Sequence, residues 1–288
     1  MQTLVQCQKP VSFSKKTFYR FWPRAAETQK RGFVWVLHGM GEHVGRYSEL
    51  ALYLNNLGFD VGGPDLPGHG HTRVDGGSTF VPTLEELNQS QAEILAQANS
   101  DQNLNLQNEK WFLLGHSMGA LLGLTALSNW LPKEILYPAK FFGVGPPLKI
   151  RKALNPAKAM GVKLLTEYLP NLTIPNGEVG PEDLSFDIAN VGSYREDKYV
   201  HPYMNARQFD SWRIKTDELF KDPNSIKCPV FLASGEEDWV SCPKKVRELF
   251  DALLVPKRFL LVPNTKHEVL FEYGREKTFQ ALVSWFAK

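Results

Sequence analysis

Only three cysteines, Cys7, Cys228 and Cys242, occur in the 288 residues, an odd number without metal-ligand spacing. That scarcity argues against a disulfide framework or a cysteine-rich metal centre and fits a reducing, cytoplasmic compartment. No apolar run reaches the roughly 18–20 residues a transmembrane helix requires. Met1 to Lys16 alternates polar and apolar residues and has neither a basic n-region nor an apolar core, so no signal peptide is expected. The formal charge is only +2, which offers nothing to draw the chain as a whole to nucleic acid. Phosphate-cradling loops, nucleotide-binding fingerprints, internal repeats and low-complexity tracts are also missing. No metal and no cofactor is therefore expected.

What is present is an ordinary globular composition, 43% hydrophobic and 22% charged, in a chain long enough for a large core. Two strand-like segments (Thr3 to Cys7, Thr17 to Trp22) come first, and strands then alternate with helices. Phe33 to Leu37 reads as a strand, followed by Tyr47, Leu50, Ala51 and Leu54 on one helix face, with Gly58 suited to the stop. Phe59 to Gly63 is a strand. Thr83 and Glu86 have capping-box spacing ahead of the stripe Leu87, Ile94, Leu95, Ala98. Strand Trp111 to Leu114, helix Met118 to Trp130 and strand Phe141 to Val144 continue the pattern. It resumes with strand Val230 to Ala233, helix Lys244 to Leu253, strand Arg258 to Val262 and a helix bearing Phe279, Leu282, Val283 and Phe286. Such alternation predicts an α/β fold, a mostly parallel doubly wound sheet covered on both sides.

The stretch from about Gly145 to Asp210 breaks the alternation and shows no strand-like periodicity. Asn155 and Pro156 suit the N-cap and first position of a helix whose one face carries Ala157, Met160, Gly161, Leu164, Leu165 and Tyr168, closed by Pro170. Residues 145–210 are read as a helical cap, or lid, inserted into a core formed by 1–144 and 211–288. Insertions of this kind sit over the carboxyl ends of the strands, where ligands bind.

The chemistry centres on Gly115-His116-Ser117-Met118-Gly119. As text, G-x-S-x-G is a weak motif. Its setting is informative: an apolar strand runs straight into it and the apolar helix Ala120-Leu121-Leu122-Gly123-Leu124 runs straight out. That arrangement is a nucleophile elbow, which lifts a serine hydroxyl above the sheet beside a helix N-terminus; an incidental structural serine is the alternative. A serine hydroxyl needs a base. Of seven histidines, His267 follows the last strand in a loop from which it could reach across the sheet top. His38, His43, His69 and His71 lie in glycine-rich loops better suited to shaping a site, and His116 adjoins the nucleophile along a turn. An acid must orient the base, and Glu236, Glu237 or Asp238 could serve; Asp238 lies furthest along its loop. The order serine, acid, histidine suits this fold. Backbone N–H groups of Met118 and of Met40, within His38-Gly39-Met40-Gly41, are the candidate oxyanion donors.

His38-Gly39-Met40-Gly41-Glu42-His43 with Gly45-Arg46-Tyr47, the run Asp65-Leu66-Pro67-Gly68-His69-Gly70-His71-Thr72, and the elbow together resemble the monoglyceride lipase and lysophospholipase branch of the α/β-hydrolase superfamily. The likeness runs from about Gly32 to the C-terminus, takes in the Asp238 and His267 loops, and extends to Leu169-Pro170-Asn171-Leu172 and Tyr194-Arg195-Glu196-Asp197. Thr72 and Lys198 depart from the pattern. The resemblance implies an α/β-hydrolase fold with the helical cap, and Ser117, Asp238 and His267 as catalytic residues. It also implies that Glu42, Arg46, His116 and Tyr194 lie near the glycerol end of a substrate, structural hydrogen bonding being the alternative for each.

The leading functional expectation is a serine hydrolase acting on monoacylglycerol or lysophospholipid through an acyl-enzyme on Ser117. A short-chain carboxylesterase, thioesterase or acyltransferase could use the same residues, and a non-catalytic binding protein on this scaffold would be expected to lack one of them. The expected partner is a small lipid ester. Lys149, Arg151, Lys152, Lys158 and Lys163, with no acid between Leu148 and Leu165, suggest peripheral contact of the cap with an anionic membrane or micelle surface, against a merely solvated basic face. Nothing in the sequence bears on oligomeric state.

Overall fold

The computed structural model describes residues 3–6, 18–72, 82–129, 135–149, 161, 164, 167–169, 173–175 and 179–287. The expected cap-helix start at Asn155 and Pro156 lies outside the described residues, as do Trp130, Arg151, Lys152, Lys158, Lys163 and Pro170 to Leu172.

Among the described residues, eight strands form one sheet in the order β1-β2-β4-β3-β5-β6-β9-β10. They are β1 (Thr3–Gln6), β2 (Phe18–Trp22), β3 (Gly32–Leu37), β4 (Phe59–Asp65), β5 (Trp111–His116), β6 (Lys140–Val144), β9 (Val230–Gly235) and β10 (Lys257–Val262). β1 pairs antiparallel with β2, and β2 with β4. Every pairing from β4 to β10 is parallel. The remaining two, β7 (Thr173–Pro175) and β8 (Tyr203–Asn205), make a separate antiparallel pair. They fall where no strand periodicity was expected. Three residues are too few to carry an alternation signal, so only long-range pairing defines them.

Strand alternation decides which face each side chain covers. Phe33, Trp35 and Leu37 of β3, with Trp111 and Leu113 of β5, pack into one buried cluster. This cluster holds the apolar faces of α2 (Leu84–Asp101), α3 (Met118–Ser128), α6 (Ala206–Lys221) and α7 (Pro243–Ala252). Val34 and Val36, with Phe112 and Leu114, point the other way, onto α1 (Ser48–Asn55) and α8 (Glu276–Ala287). The inner strands are thus sealed on both sides, which explains their unbroken apolar runs. α3 is apolar all round because every residue from Met118 to Leu127 is buried.

Local signals agree with these boundaries. Thr83 Oγ1 accepts from the Glu86 N–H (3.2 Å) and Glu86 Oε2 from the Thr83 N–H (2.8 Å), a complete capping box. Gly58 ends the first helix–strand turn at φ +90°, a conformation that favours glycine. Within 145–210 the described residues include the short helices α4 (Pro181–Leu184) and α5 (Ile188–Glu196), and α6 opens at the end of that segment. No helix among the described residues is long and apolar enough to cross a membrane.

The chain runs from β3 to β4 on one side and then returns to β5 on the other. The carboxyl ends of β3 and β5 therefore flank a topological switch point, where the diverging connections leave a crevice.

Candidate active site

Ser117 sits between β5 and α3 at φ 52°, ψ −120°. A non-glycine residue held there is strained, and the surroundings must enforce it. They leave no room for side chains on either flank. A Cβ at Gly115 would lie 2.3 Å from the Gly119 carbonyl oxygen, and one at Gly119 would lie 2.0 Å from that of Leu37. The Ser117 N–H donates to the Val144 carbonyl (2.8 Å), anchoring the turn to β6.

Seven histidines compete in sequence, and the structure brings His267 to the serine. Ser117 Oγ–H faces His267 Nε2 at 2.8 Å, and His267 Nδ1–H donates to Asp238 Oδ2 at 2.9 Å. The three residues come from the ends of β5, β9 and β10, so their contacts span 150 and 29 positions of chain. Other histidines fasten loops. His38 Nδ1–H donates to the Gly39 carbonyl (2.7 Å) while its Nε2 accepts from the Leu66 N–H (2.9 Å). His71 pairs with Asp65 (2.9 Å), His43 with Asp197 (2.8 Å), and His201 Nε2–H donates to the Gly68 carbonyl (3.1 Å).

The acidic loop separates its three acids sharply. Glu236 and Glu237 are exposed, whereas Asp238 is fully buried. Asp238 Oδ1 accepts from the Val240 and Ser241 N–H groups (3.0 and 2.9 Å), and Oδ2 accepts from the Ser241 hydroxyl (2.5 Å). Burial pushes the Asp238 carboxyl up, but the His267 charge and these hydrogen bonds outweigh it and hold the group below the usual carboxylate range. For His267 burial acts downward, and the Asp238 carboxylate overcomes it, raising the imidazole above its ordinary value. Ser241 was not foreseen, although the Asp-x-x-Ser spacing, in which a carboxylate bonds backbone two and three residues on, is a readable signal.

The loop after β3 passes directly beside the serine: a Cβ at Gly39 would lie 3.3 Å from Ser117 Cβ. The Gly39 N–H donates to Glu42 Oε1 (2.5 Å), Gly41 stands at φ +76°, and its carbonyl accepts from the His201 N–H (2.8 Å). Met40 is held between these two fixed points. Met118 opens α3, where the first N–H groups of a helix lack intrahelical partners. Both candidate oxyanion donors thus belong to backbone adjoining Ser117.

Glu42, Arg46, His116 and Tyr194 come together, and each is engaged with protein groups. Arg46 binds Glu268 through two parallel bonds (2.8 and 2.9 Å), donates to Asn190 Oδ1 (3.0 Å) and pairs with Glu42 Oε2. Its guanidinium lies 4.6 Å from the Tyr194 ring and 4.4 Å from Phe271. Glu42 Oε1 also accepts from the Tyr47 hydroxyl (2.7 Å) and from His116 (3.2 Å). Burial opposes ionisation of Glu42 and Glu268, yet the Arg46 charge keeps both carboxyls low. Glu268 and Asn190 escaped sequence reading because nothing local links them to Arg46, 222 and 144 positions away. The Glu42–Arg46 spacing of i, i+4 was a usable hint. Among the described residues no three His, Cys, Asp or Glu side chains group to hold a metal ion.

The family model for serine aminopeptidase, S33, matches residues 28–274. Human monoglyceride lipase is 33% identical over 189 residues, which is 64% of this chain and 56% of the human one. An abhydrolase domain-containing protein of Dictyostelium discoideum is 28% identical over 254 residues, 88% of this chain. The chain spans only 26% of the length of that relative. Among solved structures, a monoacylglycerol lipase of Paleococcus ferrophilus superposes with a TM-score of 0.79 at 28% identity, covering 94% of this chain and 98% of its own. A soluble variant of the Saccharomyces cerevisiae monoglyceride lipase, bound to a substrate analog, has the same fold, with a TM-score of 0.85 at 21% identity over 99% of this chain and 94% of its own.

Proposed function

The chain belongs to the serine aminopeptidase S33 family of α/β hydrolases, and from that premise we propose that it hydrolyses long-chain monoacylglycerol or lysophospholipid esters through an acyl-enzyme on Ser117. The observation that carries this reading is the chain of contacts from Ser117 Oγ to His267 (2.8 Å) and on to Asp238 (2.9 Å), on a strained elbow.

His267 takes the serine proton as Oγ attacks the ester carbonyl, and Asp238 stabilises the imidazolium that forms. The Met40 and Met118 N–H groups receive the negative oxygen of the tetrahedral intermediate. Its collapse breaks the carbon–oxygen bond, and the alcohol leaves with the proton from His267. Water, deprotonated by the same imidazole, then attacks the acyl carbonyl, and the fatty acid departs with Ser117 restored.

Monoglyceride lipases among the relatives support a lipid ester as substrate. Residues 145–210 serve as the cap. Within it Leu164, Tyr168, Leu169, Phe186 and Ile188 are exposed apolar side chains, a surface suited to contact with a lipid aggregate. Fatty-acid release from long-chain monoacylglycerol, the matching lysophospholipid and a short aryl ester tests the assignment. Strong preference for either long-chain lipid is expected, and it also chooses between the two classes. Activity confined to the short ester would leave the serine chemistry and remove the lipid assignment.

The raised basicity of His267 fixes the sign of the pH dependence. A general base works when unprotonated, so activity fails as pH falls through its pKa. The acid limb of kcat/KM is expected above the ordinary histidine value of about 6.5. Asp238→Asn removes the charge that raises it, so the limb should move to lower pH while kcat drops by about 10⁴. A limb unmoved in this variant would disconnect Asp238 from the titrating group.

A further inference from the structure

The acidic loop ends in Ser241, a buried residue to which the mechanism above gives no part. Asp238 is sealed from water and, when ionised, offers about four acceptor positions on its two oxygens. All of them are filled. Oδ1 takes the Val240 and Ser241 N–H groups (3.0 and 2.9 Å), and Oδ2 takes His267 Nδ1–H (2.9 Å) and the Ser241 hydroxyl (2.5 Å). Ser241 therefore bonds both oxygens, one through its backbone and the other through its side chain.

A carboxylate held through one oxygen can still turn about the bond that joins it to the chain. One spanned at both oxygens by the same residue cannot, so the oxygen that faces His267 is fixed. The clamp is itself anchored. Ser241 is fully buried and stands just ahead of α7, whose first turn is tied by the Lys245 and Val246 N–H groups to the Cys242 carbonyl (2.8 and 3.1 Å). Gly145, at the end of β6, leaves the pair little slack: a Cβ there would lie 3.4 Å from Asp238 Oδ2 and 3.1 Å from His267 Cε1.

Sharing Oδ2 also has an electrostatic consequence. The hydroxyl turns its positive end toward the oxygen that stabilises the imidazolium, and so offsets part of the attraction between Asp238 and a protonated His267. Burial raises the Asp238 carboxyl, and the His267 charge, the His267 hydrogen bond and the Ser241 bonds together bring it below the usual range. Three other titratable groups bear on His267: Glu268 beside it in the same loop, Glu42 of the oxyanion loop, and the His116 ring at 5.1 Å. A change at Ser241 leaves all three in place.

We propose that Ser241 is a positioning residue, which presents Asp238 Oδ2 to His267 and tempers the pull of the carboxylate on the imidazole. This role rests on Ser117, His267 and Asp238 being the catalytic residues, and requires no particular ester.

Ser241→Ala, Ser241→Thr and Ser241→Val test it. Threonine and valine share a shape and differ in the hydroxyl, so any cost of added bulk is common to both. Two comparisons matter, alanine with wild type and valine with threonine. In each, loss of the hydroxyl should lower kcat by about 10-fold with little change in KM. It should also move the acid limb of kcat/KM to higher pH, because a dipole opposing protonation of His267 is lost. The low-field ¹H resonance of His267 Nδ1–H, identified by its absence in His267→Gln, should move further downfield as the carboxylate accepts more strongly. A limb or a resonance that stays in place in both comparisons would overturn the inference, even with a lowered melting temperature, since that is what a merely structural serine would give. A raised KM at unchanged kcat would overturn it as well. The resonance is read without substrate. Full activity in Ser117→Ala would thus sink the catalytic reading by itself, while the spectra still decide whether Ser241 governs the Asp238–His267 bond.

Discussion

Replacing Ser117 with alanine is expected to lower the rate of ester hydrolysis by about 10⁵–10⁶-fold, with the fold intact. The hydroxyl is the only protein group in the proposed mechanism that bonds to the substrate carbon. Asp238, His267 and the two backbone donors would remain in place around an inert methyl group. A residual acceleration of about 10³–10⁴ over water, from the oxyanion donors and binding, is what such sites retain. Stability should change little, because Ser117 is only partly buried and its backbone bond to the Val144 carbonyl does not involve the side chain. Initial rates on the preferred ester, beside a thermal melt, decide the matter. Equal rates in variant and wild type would remove Ser117 from the chemistry altogether.

Replacing Arg46 with leucine is expected to cost about 3–5 kcal/mol of folding stability at neutral pH. Arg46 is the common partner of Glu42 and Glu268, which are both almost fully buried. Without it the two carboxylates face one another across a space that leucine fills but cannot neutralise. The pH dependence should also change sign. In the wild-type protein the folded-state carboxyls titrate below their ordinary values, so their contribution is present at neutral pH and is lost as pH falls through the folded values. In the variant burial dominates and raises at least one of them above its unfolded value, so stability should be greater when that group is protonated and fall as pH rises. Chemical denaturation between about pH 5 and 7 should therefore show stability falling with pH in the variant, over a range where these carboxyls contribute almost no slope in the wild type. Parallel slopes would mean that the Arg46 charge does not govern these acids. A loss at neutral pH below about 1 kcal/mol would place the pair in the class of weak, solvated ion pairs.

Arg46 also shows why sequence is an incomplete guide to this site. Its neighbours Gly45 and Tyr47 carry the resemblance to known lipases, and its spacing from Glu42 suits one helical turn. Nothing along the chain indicates that its strongest partner is Glu268, next to the proposed general base, or that Asn190 of α5 closes the same cluster. Ser241 is an intermediate case, since its distance from Asp238 is short in sequence and its hydroxyl completes the cradle of the carboxylate. Element boundaries behaved similarly. Strands expected at Phe33 to Leu37 and Phe141 to Val144 begin one residue earlier, because backbone pairing extends past the last apolar side chain. The pair β7 and β8 has no periodic signature at all.

The sequence by itself determined the layered α/β architecture, because alternating short apolar runs and amphipathic stripes leave few other ways to bury both faces of a sheet. It also determined the elbow, since two glycines around a serine between strand and helix answer local steric demands that are measurable at Gly115 and Gly119. Only the tertiary structure decided which histidine meets the serine, which of three adjacent acids is buried against it, and which protein partners Glu42, Arg46, His116 and Tyr194 engage. Those outcomes depend on contacts between loops far apart in the chain. Local propensity carries no record of such contacts, whereas burial and charge balance select among them once the sheet has brought the strand ends together.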